Sequence, residues 1–190
     1  VKDDKVYLLY RGEQGYYASY NSRIGLAVSN DGLAFERAQD MPIIDIDEKQ
    51  EEEKRGLEDP RIIQLEDGRY FLTYTAYAGP VNFYGAGVDE DKQQITLAGA
   101  FSNDLVHWEK IGRLVPGREK AGAIVSRYAR SGVARQDYKW RGKYVMYFGE
   151  GLVKVAFSED LRNWEVREQP VLEPREGYFD SYLVEGGPPP

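Results

Sequence analysis

Apolar positions are concentrated in short runs and do not recur with the period of a helix. Three of these runs, Lys5 to Tyr10 (KVYLLY), Arg69 to Tyr74 (RYFLTY) and Lys143 to Phe148 (KYVMYF), are apolar, aromatic and β-branched enough to predict buried strands. Two of them follow tight-turn dipeptides, Asp67-Gly68 and Arg141-Gly142. After each run comes one copy of a ten-residue pattern, A-[VF]-S-x-D-x-x-x-[FW]-E, starting at Ala27, Ala100 and Ala156. Each copy reads as a strand end, then a turn whose aspartate binds nearby backbone N–H groups, then an aromatic that packs back as the next strand begins. Asp31, Asp104 and Asp160 are therefore expected to be structural, since a catalytic role would not need three equivalent copies. His107, inside the second copy, is expected to be structural as well.

No long amphipathic helix is visible. The acidic run Asp45 to Arg55 (DIDEKQEEEKR) fits a short helix or, better, a solvated loop. Repeated β-meanders with one buried face each imply radial stacking, a β-propeller. The copies recur at intervals longer than the roughly 40–50 residues of a common blade, so inserted loops are expected, and three units do not close a ring that needs at least about four. Residues 1–190 are accordingly expected to be a single, partial β-propeller domain. The run Val184 to Pro190 reads as an interrupted segment and not as a natural tail.

Composition narrows the chemistry. The chain is 42% hydrophobic and 13% aromatic with 20 glycines, which excludes a disordered chain, and it has no apolar run of bilayer length. Its net charge of -7 argues against nucleic acid or an anionic membrane as partner. Zero cysteines and a single histidine argue against thiolate metal sites, thiol nucleophiles, histidine-ligated metals and a Ser-His-Asp triad. Carboxylates and cations are left to do any chemistry, with no metal or organic cofactor required. The compartment is expected to be cytoplasmic, and a homo-oligomer is compatible with the sequence.

The segment Gly56-Leu57-Glu58-Asp59-Pro60-Arg61 stands out, with two carboxylates, a proline and an arginine at the entrance to an apolar strand. Proline at 60 restricts Asp59 to extended backbone, and strand alternation then puts Glu58 and Asp59 on opposite sides. From spacing alone, a strand start capped by a salt bridge competes with a catalytic role.

In this company the residues resemble glycoside hydrolase family 130, the β-mannoside phosphorylases and β-mannosidases. The resemblance runs through Leu9-Tyr10-Arg11, Ser22 to Ala27, Gly56 to Arg61, Gly142 to Met146, Phe179-Asp180-Ser181 and Val184 to Pro190. It implies an all-β, five-bladed β-propeller, of which this chain covers roughly three blades plus flanking strands. It also implies an inverting enzyme acting on β-mannoside oligosaccharides, with Asp59 as general acid acting through a mannose hydroxyl. Arg11 and Arg23 match positions lining the sugar site, although pairing of either with Glu58 or Asp59 competes. Lys120 corresponds to a basic position of the family, and Glu58, Arg61 and Asp180 complete the expected substrate-binding set. Arg11, Arg23, Arg61, Lys120, Arg127 and Arg130 together offer enough positive charge for an anion site.

Family phosphorylases carry a basic pair directly after the strand that here reads GKYVM, where it helps bind phosphate. Here the position carries Glu150. A carboxylate repels phosphate and accepts a proton from water, so Glu150, with Glu185 as a second candidate, fits the base of an inverting hydrolase, against the plainer alternative of surface acids. The expectation is thus a β-mannosidase. The alternatives are an inverting phosphorylase that uses inorganic phosphate and releases mannose 1-phosphate, and a non-catalytic carbohydrate-binding propeller. Tyr16, Tyr17, Tyr77, Tyr84 and Tyr128 are expected in loops, available to stack on sugars.

Overall fold

A computed structural model describes residues 2–13, 21–79, 94–128 and 135–190. Its strands are β1 (Val6–Glu13), β2 (Ser22–Ser29), β3 (Glu36–Arg37), β4 (Gly56–Gln64), β5 (Tyr70–Tyr77), β6 (Ile95–Ser102) and β7 (Trp108–Arg113). They continue with β8 (Ala123–Ile124), β9 (Ser126–Tyr128), β10 (Arg135–Asp137), β11 (Lys139–Trp140), β12 (Lys143–Phe148), β13 (Lys154–Ser158) and β14 (Glu165–Val166). Among the described residues the sole helical element is one 3-10 turn, Glu51–Glu53. The all-β expectation therefore holds, and the three apolar runs lie in or at the start of β1, β5 and β12.

Two sheets form, one of nine strands and one of five. The larger one is joined by single parallel pairs, Ser22 with Gly56 and Gln136 with Gln64. The first pair joins the antiparallel meanders β1-β2-β3 and β4-β5-β6-β7, the second attaches the β9-β10 hairpin to β4, and a third antiparallel meander, β8-β12-β13-β14, lies in the five-stranded sheet. The two sheets are not closed into a ring. What is observed is three stacked meanders, one for each copy of the sequence repeat.

The middle meander is buried from both sides. Along β5, Tyr70, Leu72, Tyr74 and Ala76 face a core shared with Ile24, Leu26 and Ile44 of the first meander and the segment after it. Phe71, pointing the other way by strand alternation, joins a second core with Ile124, Met146 and Phe148 of the third. Burying each large apolar side chain contributes about 1.5–3 kcal/mol, so a strand apolar on both faces is stable only between two neighbours.

The repeat forms the same turn three times. Ser29 Oγ donates to Asp31 Oδ1 at 2.9 Å, and that oxygen accepts from the N–H groups of Leu33 (2.8 Å) and Ala34 (2.9 Å). Asp104 and Asp160 repeat the arrangement with Val106 and His107, and with Arg162 and Asn163. The indole N–H of Trp108 donates to Leu105 O and that of Trp164 to Leu161 O. The residue after each aspartate has positive φ: Gly32 at 74°, Leu105 at 76° and Leu161 at 64°. Glycine adopts that conformation without a Cβ penalty, whereas the two leucines are held in it by burial of their side chains. The structural assignment of the three aspartates and of His107, whose Nδ1 lies 2.7 Å from Asp104 Oδ2, agrees with this geometry.

The acidic run departs from expectation at Glu53. Most of it is exposed, as a solvated loop would be, and Glu51–Glu53 forms a short 3-10 turn, but Glu53 is only 4% exposed, accepts from the Tyr74 hydroxyl at 3.0 Å and pairs with Lys110 Nζ at 2.5 Å. A buried carboxylate needs such partners, and both come from strands distant in sequence. Tyr77 also differs, closing β5 instead of lying in a loop.

Candidate functional site

The GLEDPR segment forms the first half of β4, and its register against β5 slips between Glu58 and Arg61. Asp59 sits in this bulge with φ 49°, a left-handed conformation. The expected extended backbone at Asp59 is therefore not observed. The bulge also cancels the alternation that would separate Glu58 from Asp59. Both carboxylates reach the same guanidinium: Arg11 Nη1 lies 3.3 Å from Glu58 Oε2 and 3.4 Å from Asp59 Oδ1. Arg11 comes from β1, and its Nε is also 3.3 Å from Glu13. The structural pairing of Arg11 with Glu58 and Asp59 is thus present. Asp59 nevertheless keeps about half of its side chain exposed, as a proton donor to a ligand must.

A second group lies where the two later meanders and the C-terminal segment meet. Lys120 Nζ is 3.0 Å from Glu150 Oε2 and 2.7 Å from Glu185 Oε1. Burial pulls the lysine's pKa down, and the hydrogen bonds and charges of Glu185 and Glu150 outweigh it, so the net shift is upward. The ammonium therefore stays protonated at neutral pH. Backbone bonds bring the three together: Gly149 N–H donates to Lys120 O at 3.0 Å and Val184 N–H to Gly151 O at 3.2 Å. Gly149, with φ 152°, is required just before Glu150, because a Cβ there would lie 1.8 Å from Leu152 O.

Arg61 stands between the two groups. Its Nη1 donates to Ala121 O at 2.8 Å and Gly187 O at 2.6 Å. Burial lowers its pKa, and the charges of Asp59 and Glu185 pull it back up. Glu58, Asp59 and Arg11 thus form one charged group and Glu150, Glu185 and Lys120 another, with Arg61 within electrostatic reach of both.

Three expected members pair elsewhere. Arg23, at the same end of the first meander, pairs through Nε with Asp45 at 2.5 Å and not with Glu58 or Asp59. Asp180 is held by Arg175 Nε at 2.9 Å and 3.2 Å within its own loop. Arg127 pairs with Glu66 at 2.8 Å, away from both groups. Tyr16, Tyr17, Tyr84 and Arg130 lie outside the described residues, as does the side chain of Tyr128. Sequence reading missed Arg118, whose charge acts on Tyr77 alongside that of Glu58. Arg118 lies in a bend between β7 and β8, outside any strand, so no strand periodicity marked it in the sequence. Among the described residues no cluster of His, Cys, Asp or Glu fits a metal ion.

Chemically, the two groups offer a half-exposed carboxyl on one side and a carboxylate pair bridged by an ammonium on the other. Such an arrangement suits proton donation to a leaving group and activation of an incoming nucleophile.

Comparison with known proteins bears on this arrangement. The glycoside hydrolase family 130 model, described as beta-1,4-mannooligosaccharide phosphorylase, matches residues 2–190. A 1,2-beta-oligomannan phosphorylase from Thermoanaerobacter sp. (strain X514) is 33% identical over 96% of this chain and 55% of its own length. A beta-1,2-mannobiose phosphorylase from the same strain is 28% identical over 76% of this chain and 43% of its own. A solved structure, described as showing that the GH130 family of mannoside phosphorylases contains glycoside hydrolases targeting beta-1,2 mannosidic linkages in Candida mannan, superposes with a TM-score of 0.81. It is 33% identical and covers 100% of this chain and 54% of that one. The chain spans about half the length of the curated relatives it matches.

Proposed function

The chain belongs to glycoside hydrolase family 130, and from that premise we propose that the complete protein cleaves β-mannosidic linkages with inversion, phosphorolysis being the reading its named relatives favour. In this reading residues 1–190 form part of one catalytic domain, a five-bladed propeller in the complete protein, to which they contribute three meanders. The names of the relatives point to a β-1,2-linked mannoside as substrate. Asp59 passes its proton to the glycosidic oxygen by way of a mannose hydroxyl, the bond from that oxygen to the anomeric carbon breaks, and Arg11 holds the resulting carboxylate. On the opposite face an oxygen of inorganic phosphate bonds to the anomeric carbon, giving α-mannose 1-phosphate.

This differs from the sequence expectation of a mannosidase, because the family description and the two curated relatives compared above are named as phosphorylases. A second reading, hydrolysis, is kept for one specific observation: Lys120 is already neutralised by Glu150 and Glu185. Two carboxylates around one ammonium leave a net negative charge where a phosphate dianion would sit, and either can take the proton of an attacking water. Product analysis of the complete protein on β-1,2-mannobiose, with and without inorganic phosphate, tests both. Mannose 1-phosphate formed only with phosphate supports phosphorolysis, and mannose released equally without phosphate, with loss of turnover in Glu150→Gln, supports hydrolysis. No cleavage under either condition refutes the proposal and leaves a carbohydrate-binding role.

A further inference from the structure

We infer that Arg61 is a positioning residue: it sets the spacing between Asp59 and the Lys120, Glu150 and Glu185 cluster, and does not serve as a sugar ligand. The inference rests on the reading of Asp59 and that cluster as the two sides of one reaction centre. The two N–H bonds of Nη1 are both spent on backbone carbonyls, Ala121 O and Gly187 O. Those carbonyls come from the residue after Lys120 and from the second residue after Glu185, which stand 60 and 126 positions from Arg61 in the chain. At its other end Arg61 is tied to Asp59 through Pro60 alone, whose ring fixes φ and stiffens the link. One guanidinium thus connects the strand carrying the acid, the loop carrying the lysine and the segment carrying the second carboxylate.

The surroundings need such a connection. Ala121 has φ 58°, a left-handed conformation that a residue with a Cβ keeps only when its neighbours hold it there. A second bond anchors the same loop, from Thr73 Oγ1 to Gly122 O at 2.5 Å. Because Lys120 bridges Glu150 and Glu185, any shift of its loop is passed on to both carboxylates. A displacement of about 1 Å at a reacting group costs roughly 100-fold in rate. The charges of Asp59 and Glu185 also act on the guanidinium, so Arg61 lies within electrostatic reach of both groups it connects.

The test uses the complete protein with Arg61→Met and Arg61→Lys, measuring kcat, KM for a β-mannoside and the crystal structure of each. For Arg61→Met, kcat falls roughly 100-fold with KM within about threefold of the parent. Arg61→Lys leaves KM near the parental value while kcat stays reduced, because the shorter ammonium cannot span both carbonyls. A KM increase beyond about tenfold with kcat retained marks a sugar ligand and overturns the inference, as does parental kcat in both variants. Should Arg61→Met not fold, reduced kcat with near-parental KM in Arg61→Lys supports the inference and parental kcat refutes it. Absence of mannoside cleavage by the parent refutes the proposed function instead. In that event the crystal structures decide: Ala121 and Gly187 unmoved in the variants overturn the clamp, and their displacement upholds it.

Discussion

Aspartates in the three repeat turns and acids in the two charged clusters are the same chemical groups put to different uses. In the turns each carboxylate is saturated by N–H groups two and three residues ahead, as Asp160 is by Arg162 and Asn163. Those bonds hold the Asp31 carboxyl down at about 2 and also depress Asp160, while Asp104 is lowered first by the His107 side chain and then by the backbone N–H groups. A carboxylate so satisfied has no proton to give at neutral pH and no reason to take one. In the clusters the partners are cations from remote strands: Arg11 lies 48 residues from Asp59. An exposed carboxyl held by a distant guanidinium keeps an oxygen available to a ligand. Local satisfaction yields a fold element that can be repeated, whereas non-local satisfaction yields a single reactive arrangement.

The sharpest way to break the comparison is to exchange the roles. Asp59→Asn removes the proton donor and is expected to lower kcat/KM of the complete protein by about 10³-fold or more, with Tm nearly unchanged. Asp160→Asn, the same change in a turn, is expected to leave kcat/KM at the parental value. Parental turnover in Asp59→Asn would sink the assignment of the acid.

Next in size, Leu161→Ala empties a buried site in the second core and is expected to cost about 2–4 kcal/mol, read as a lower midpoint in denaturant. An unchanged midpoint would mean that the left-handed leucine turn is not held by its buried side chain. Asp160→Ala removes only the turn bonds and is expected to cost about 1 kcal/mol, or ~3 °C in Tm.

The smallest effect is one of pH. A carboxyl depressed in the folded state to about 2, as at Asp31, adds stability that is fully present above the unfolded value of 3.8 and lost as pH falls through about 2. Tm should therefore decline between about pH 4 and pH 2, and less steeply in Asp31→Asn. An equally steep decline in that variant would place the acid sensitivity elsewhere.

Much of the fold was legible along the chain. The strands beginning at Val6, Tyr70 and Lys143 and the three Asp turns follow from contacts within a few residues, which one sequence displays directly. Part of the candidate grouping was legible by residue type: Arg11 meets Asp59, and Lys120 meets Glu150 and Glu185. The remaining pairings were not. Arg23 goes to Asp45, Asp180 to Arg175, and Glu53 leaves solvent for Tyr74 and Lys110. Each of these choices depends on strands that meet only after the meanders stack, and the bulge that brings Glu58 and Asp59 onto one arginine depends on pairing with β5.

By itself the amino-acid sequence determined the β class, the threefold repeat and the scarcity of any chemistry other than that of carboxylates and cations. Those properties reside in composition and in hydrogen bonds that close within three residues. Only the tertiary structure decided that Arg61 binds two distant backbone carbonyls and that Lys120 sits between Glu150 and Glu185. Electrostatic attraction has no sequence register: a guanidinium or an ammonium accepts any carboxylate or carbonyl that comes within reach, and packing determines which one does.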